Sequence, residues 1–404
     1  MCSRRQNGPN SSGRGGDAIL RAMVTGVRVH GPFMGPSGYD NHVRQFVRSL
    51  SQRGVGVELR DIPDWSPVRL PHHLRDPWYE SLSKASTPVG SALHFTLPIR
   101  VVPDPALPNV NFTMFEAASI PKSWVAAHPL SDLIVLPTRH SRDAWLKSGV
   151  PEEKIRHCPL GVRADLFRPG VRPLALTGGG GRPISSYAVR FLNVSEINIR
   201  KNFVGLLAAW LRATTPQDDA VLILKLGSYN PGALSTFDLS MAKAVQRAVK
   251  KPANAAPIHV TYELYPDADM PRVFAAATHY ISLSFGEGWD LSMIQAAASG
   301  LRLIAPRHSA YLEYLNDDIA TLVPSREAPA ISDDDPWEHE FFIGANWWYP
   351  DEDGAVAAIR AAIDGRDAPR ASARDHIASQ FTWEQATERL VEILDEAEAM
   401  AARR

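Results

Sequence analysis

The chain has 404 residues, with 43 Lys and Arg against 44 Asp and Glu, and two cysteines. That length exceeds what one hydrophobic core comfortably serves and predicts two domains, while the balanced charge excludes the basic footprint of a general nucleic-acid binder and favours a small-molecule partner. Cys2 and Cys158 make neither a disulfide framework nor a metal cluster, which fits a reducing, cytoplasmic setting.

Residues 1–22 are rich in Arg, Gly, Ser and Asn and lack the apolar run of a signal peptide, so a disordered tail is expected. No later run reaches membrane-spanning length, and no helix is rich enough in Lys and Arg to argue contact with a membrane surface. From residue 23 onward, strand-like apolar runs alternate with segments of helical period, the pattern of βα units and parallel sheets. The strands predicted in the first half are residues 27–30, 55–59, 92–95, 110–114 and 133–136. Residues 171–186 break the pattern with Pro, Arg and the run Gly178 to Gly181, which reads as a linker and a plausible hinge. A phosphate-cradling loop is the rival reading of that run, but it follows no strand and opens no helix.

The alternation resumes with strands at 189–194, 221–226, 258–262 and 280–283, and with a helix bearing Phe203, Leu206, Leu207 and Trp210 on one face. A last amphipathic helix is expected over 383–401, with Ala386, Leu390, Ile393 and Leu394 spaced for burial. The organisation predicted is a domain at 23–170, the linker at 171–186, a second domain at 187–380, and a closing helix within 381–404.

Two places carry chemistry. Arg200 and Lys201 open the helix after the first strand of the second half, where the macrodipole is positive and each cation costs roughly 0.3 to 1 kcal/mol. A bound diphosphate would relieve that conflict; the plainer reading is a pair of solvated surface charges. The second place is Ser284-Phe285-Gly286-Glu287-Gly288-Trp289-Asp290-Leu291, which joins a short strand to an Ala-rich helix. An acidic residue between glycines at the carboxyl end of a strand lies where an open α/β sheet binds ligands. Gly286 and Gly288 permit close backbone approach, the helix start behind them attracts phosphate, and Gln295, two turns on, can face the same crevice. Glu287 as an ordinary first-turn carboxylate is the plainer alternative.

These segments resemble the retaining family 4 glycosyltransferases of GT-B fold, the glycosyl transferases group 1. That family carries a Glu-Gly-Phe-Gly segment followed eight residues later by a second Glu, here Glu287-Gly288-Trp289-Asp290 ending at Gln295. The resemblance extends through Ala296 to Gly300, the strand at 301–305 and His308-Ser309-Ala310. It also covers Arg200-Lys201-Asn202, residues 137–150, Pro159 to Val162, and Phe167-Arg168-Pro169. Gly31-Pro32 with Ser37-Gly38-Tyr39 is similar to the N-terminal glycine loop that faces the cleft.

The resemblance implies an α/β protein of two Rossmann-like domains facing a cleft, with the last helix returning to the first domain. It implies sugar transfer from a nucleoside diphosphate donor, UDP- or GDP-linked, to a glycan, lipid-linked or small-molecule acceptor, without a required cofactor or metal. Lys201 and Arg200 would bind the diphosphate, Glu287 the transferred sugar, and Gln295 the ribose. Gly286, Gly288, Trp289, Leu291 and Gly38 would line the donor site, and Glu116 would hold a cleft position ahead of Pro121 and Trp124. The chain departs from the family in having Gln295 where Glu is usual, Ser292 where Pro is common, and Ser195 near the place of a second phosphate-binding Arg. A neutral amide forms a weaker bond to ribose than a carboxylate, so a non-catalytic sugar-nucleotide-binding subunit is the alternative. A Rossmann dehydrogenase is disfavoured, because no Gly-x-Gly-x-x-Gly opens a helix after the first strand. Asp333-Asp334-Asp335 reads as a solvated run, His72-His73 as surface, and Trp347-Trp348 as packing.

Overall fold

The computed structural model describes residues 24–62, 64–65, 68–177, 182–227, 233–331 and 336–404. The run Gly178 to Gly181, with the hinge expected there, the residues before 24 and Asp333 to Asp335 lie outside the described residues. Two six-stranded parallel sheets form the framework. The first contains β1 (Gly26–His30), β2 (Gly56–Arg60), β3 (Ser91–Phe95), β4 (Asn109–Phe112), β5 (Leu133–Leu136) and β6 (Ile155–His157), in the order β2-β1-β3-β4-β5-β6. The second contains β7 (Val189–Glu196), β8 (Ala220–Gly227), β9 (Ile258–Thr261), β10 (His279–Ile281), β11 (Arg302–Pro306) and β12 (Thr321–Val323), in the order β12-β11-β10-β7-β8-β9. All pairings within both sheets are parallel.

Chain order reverses between β1 and β3 in the first sheet and between β7 and β10 in the second. At such a switch point the loops leaving neighbouring strands diverge to opposite faces and open a crevice at the strands' carboxyl ends. The loops after β7 and β10 carry residues 197–202 and 282–290, the two chemistry-bearing segments of the sequence.

The core follows from the strand pattern. Val27 and Val29 of β1, Leu93 and Phe95 of β3, and Val110 and Phe112 of β4 are wholly buried on one face with Val43, Phe46, Val47 and Leu50 of the helix Gly38–Gln52. The final helix, Trp383–Ala401, joins that core through Leu390, Ile393, Leu394 and Ala397. Its start is fixed by a capping box between Thr382 and Gln385. Its docking is fixed by Phe46 against Trp383, ring centroids 5.1 Å apart, and by the ion pair of Arg156 with Glu396 at 2.5 Å. The described parts of 171–186 are not free chain: Leu174 and Leu176 pack on the main core, and the Leu174 N–H donates to Arg272 O at 2.9 Å.

A feature absent from the sequence reading is an antiparallel hairpin of β13 (Ser325–Pro329) and β14 (Asn346–Pro350). It extends from the second domain to the first. Trp347, Phe342 and Ala345 form one buried cluster with Phe115, Trp124, Ile134, Leu136 and Trp145, and the Ala118 N–H donates to Asn346 O at 3.1 Å. The two domains therefore share an apolar core on one side of the cleft. Among the described residues, no helix is long and apolar enough to cross a membrane.

Candidate active site

Asn198 begins the site. Its side chain accepts from Lys201 N–H and caps the single turn Ile199–Lys201, and Asn202 then adopts a left-handed conformation (φ 53°) to start the helix Phe203–Ala213. Asn202 accepts from Gly205 N–H and donates from Nδ2 to Leu283 O at 2.9 Å, tying this loop to the one after β10. Phe285 N–H and Ser284 Oγ both donate to Arg200 O, at 2.8 and 3.1 Å. The backbones of the two loops are thus locked together before any side-chain charge is considered.

Lys201 Nζ donates to Glu287 Oε1 at 2.6 Å, and Arg200 Nη1 lies 3.3 Å from Glu287 Oε2. Arg200 also donates to Gly286 O at 2.6 Å and reaches within 3.6 Å of Glu116 Oε1, a residue of the first domain. Burial opposes ionisation of Glu287, but the Lys201 ammonium and the Arg200 guanidinium hold its carboxyl below the ordinary range. The anion between the two cations is therefore supplied by the protein itself. Burial pushes the Glu116 carboxyl up, with Arg200 acting against that rise and Glu287 adding to it.

Behind Glu287 runs a directed hydrogen-bond chain. The Glu287 N–H donates to Ser309 Oγ at 3.3 Å, and His308 contacts Ser309 Oγ through Nδ1 and Ser284 O through Nε2, each at 2.8 Å. A carbonyl only accepts, so Nε2 carries the proton and Nδ1 accepts from the serine. Burial pushes the His308 imidazole down to about 3, keeping the ring neutral. Trp348 stacks on this ring at 5.4 Å and meets His140 edge-on at 4.6 Å. Ser309, Trp348 and His140 come from three other segments of the chain, so no local pattern shows them as supports for Glu287.

Several expectations need correction. The close approaches at Gly286 and Gly288 are to the first domain: a Cβ at Gly286 would stand 2.2 Å from Glu116 O, and one at Gly288 would stand 2.6 Å from the Met114 side chain. The Trp289 side chain does not line the cleft; it is buried against Tyr314 and Phe381, centroids 5.1 and 5.9 Å away. Gly38 is exposed with open space around its would-be Cβ, so nothing within the chain demands glycine there. The start of helix Leu291–Ala298 is already capped by Asp290, which adopts φ 64° and accepts from Met293 N–H. This leaves the N–H groups of Leu291 and Ser292 without intrahelical partners, and these are the donors the helix can offer a phosphate. Gln295 is half-buried on this helix. His72 and His73 are exposed and Trp347 is packing, as expected, whereas Trp348 is half-buried beside the site.

Two outcomes follow from this geometry. Gly286→Ala forces the backbone of the two domains apart at Glu116. It is expected to lower stability by about 1 to 3 kcal/mol, as read by chemical denaturation; an unperturbed variant would remove the close approach from the account. Asp290 is pushed up to about 6 by burial and by Glu287, against an unfolded value near 4. Ionisation is then disfavoured in the folded state, and its cost grows as pH rises through that window. Asp290→Asn keeps a capping oxygen and is expected to gain stability relative to wild type between pH about 4 and 6, a trend that denaturation at several pH values checks.

No protein-family profile and no curated protein sequence matches the chain. Solved structures do resemble it. Anabaena HepE in complex with UDP and glucose superposes with a TM-score of 0.59 at 13% identity, covering 92% of this chain and 100% of its own. Sucrose-phosphate synthase from Thermosynechococcus elongatus gives 0.61 at 14% identity, over 93% of this chain and 100% of its own. A glycosyltransferase from Rickettsia africae gives 0.55 at 14% identity, over 92% and 98%. With its two facing Rossmann-like sheets and nearly full-length coverage of these neighbours, the chain has the GT-B fold.

Proposed function

We propose that the chain is a glycosyltransferase, which carries a sugar from a nucleoside diphosphate to an acceptor. The observation that carries this reading is the convergence of Arg200, Lys201 and Glu287 at the switch point of the second sheet, facing Glu116 of the first domain. Similar structures that hold UDP and UDP-glucose, those of Anabaena HepE, support the donor class.

In this reading the bond between the anomeric carbon and the diphosphate breaks, and negative charge grows on the leaving phosphate. Lys201 and Arg200, with the free N–H groups of Leu291 and Ser292, provide fixed positive charge and dipoles at that point. The diphosphate competes with Glu287 for the two cations, so donor binding releases the Glu287 carboxylate toward the sugar hydroxyls. Glu116 lies on the acceptor side. Burial raises its pKa above the ordinary carboxylate range, the direction that strengthens a carboxylate as a proton acceptor from an acceptor hydroxyl.

The finer assignment within this proposal is a retaining, metal-independent enzyme of family 4 type, working in the cytoplasm on a UDP- or GDP-sugar in glycan or polysaccharide assembly. Retention by departure and attack on one face requires no carboxylate nucleophile beneath the sugar, in contrast to double displacement. The test is calorimetry with UDP, GDP, ADP and TDP on wild type, Lys201→Ala and Glu287→Ala, followed by transfer assays with the matching sugar donors in EDTA. One nucleotide that binds wild type and not Lys201→Ala, an EDTA-resistant transfer and a product with the donor's anomeric configuration by NMR are expected. Binding without turnover on any acceptor would favour the non-catalytic subunit. Within the active enzyme, Glu116→Gln is expected to lower turnover about tenfold or more, and wild-type turnover would remove Glu116 from the site.

A further inference from the structure

Strand β8 hides a charged residue in an apolar run. Ala220, Leu222, Leu224 and Leu226 face one core and Val221 and Ile223 the other. Lys225 continues the second row at the carboxyl end of the strand and is only 7% exposed. Its Nζ donates to Leu226 O at a long 3.4 Å, and among the described residues no carboxylate lies within ion-pair distance. Burial pushes the ammonium down to about 8, with Glu263 acting in the opposite direction. A lysine that only filled space here would be replaced at lower cost by methionine, since a buried donor without a good acceptor is unfavourable.

Its position says what acceptor it awaits. In register, Lys225 lies between Val194 of β7 and Thr261 of β9. Tyr280 OH donates to Val194 O at 3.2 Å and also meets the Ser292 side chain, in the first turn of helix Leu291–Ala298. Gln295 follows Ser292 by three residues and so lies on the same helix face. The carboxyl ends of β7 and β8 therefore border the side of the crevice that carries Gln295. Under the donor-site reading above, on which this step rests, that is the nucleoside's side.

We propose that Lys225 reads the donor nucleobase, donating to a ring carbonyl oxygen and so favouring a keto base, uracil or guanine, over adenine. An ammonium group only donates; the keto edge offers it an oxygen, whereas adenine presents an amino donor beside its ring nitrogens.

Calorimetry with UMP, GMP, AMP and inorganic pyrophosphate separates the base from the phosphates. Lys225→Met is expected to weaken the tighter of UMP and GMP by about tenfold or more and to abolish its advantage over AMP, while leaving pyrophosphate affinity unchanged. Lys201→Met is expected to do the reverse, losing pyrophosphate and keeping the base preference. Lys225→Gln, which retains an N–H donor, should keep part of the preference and guards against a merely unfolded Met variant, with melting temperature as the check. If Lys225→Met keeps the wild-type base preference, or loses pyrophosphate equally, Lys225 does not read the base. If wild type binds neither pyrophosphate nor any mononucleotide, the donor site itself is wrong, and this inference is overturned with it.

Discussion

For the proposed sugar transfer, replacing Lys201 by Met is expected to lower kcat/KM for the donor by about 10² to 10³-fold, the scale lost when one fixed electrostatic donor to a developing oxyanion is removed. The reason is geometric. Lys201 sits on a turn fixed by Asn198, Asn202 and two bonds to Arg200 O, so its ammonium is placed before donor arrives and needs no reorganisation. It forms an ion pair with Glu287 at 2.6 Å. Met keeps the bulk of the stem and removes the charge alone. Arg200 remains beside Glu287, and so the carboxylate is not left without a partner. The loss should fall on kcat as well as KM, because charge on the leaving phosphate is greatest in the transition state. Steady-state rates on donor saturation decide it, and a Lys201→Met enzyme with near-normal kcat would move the phosphate site elsewhere. A Glu287→Gln, Lys201→Met double-mutant cycle would then show whether the two side chains act as one unit, as their contact implies.

The residue types of this pair were legible in the sequence, and the resemblance implied one donor site for them; their direct ion pair was not legible. Spacing along the chain placed Arg200 and Lys201 after one strand and Glu287 after another. The sheet order β10-β7-β8 then makes those strands neighbours, which is a long-range fact no local pattern encodes. For the same reason the two cations looked unbalanced in isolation, although Glu287 balances them in space. The glycines beside Glu287 were read as points of close approach to a ligand, whereas the groups that crowd them are Glu116 O and the Met114 side chain of the other domain. Lys225 was masked by the run of aliphatic residues around it. The strands of strong apolar alternation were found within a residue or two, whereas β6 and β12 were not. Three residues such as Ile155, Arg156 and His157 carry too little period to distinguish them from loop. β13 reads Ser-Arg-Glu-Ala-Pro, with no apolar face of its own, and it exists because β14 pairs with it and packs on the first domain.

That hairpin is where the largest loss of stability is expected. Trp347→Ala removes a wholly buried indole from a cluster containing Phe115, Trp124, Trp145 and Phe342, and a change of this kind costs about 3 to 5 kcal/mol. Trp347→Phe should cost far less. The indole Nε1 has no hydrogen-bond partner among the described residues, so the phenyl ring forfeits packing volume but sheds an unsatisfied donor. The comparison of the two variants by urea denaturation thus separates cavity formation from polar loss. The effect should also reach the cleft. Trp347 and Tyr349 support the Phe285 ring at 5.8 and 4.6 Å, Trp348 N–H donates to Phe285 O, and Phe285 N–H holds Arg200 O. Loss of the indole therefore loosens the loop that aims Arg200 and Lys201, and donor KM is expected to rise in Trp347→Ala well below its unfolding temperature. Trp347→Ala with lowered stability and unchanged KM would mean that the hairpin only joins the domains. A rise in KM that Trp347→Phe largely restores would show that the apolar bridge between the domains also sets the geometry of the charged site.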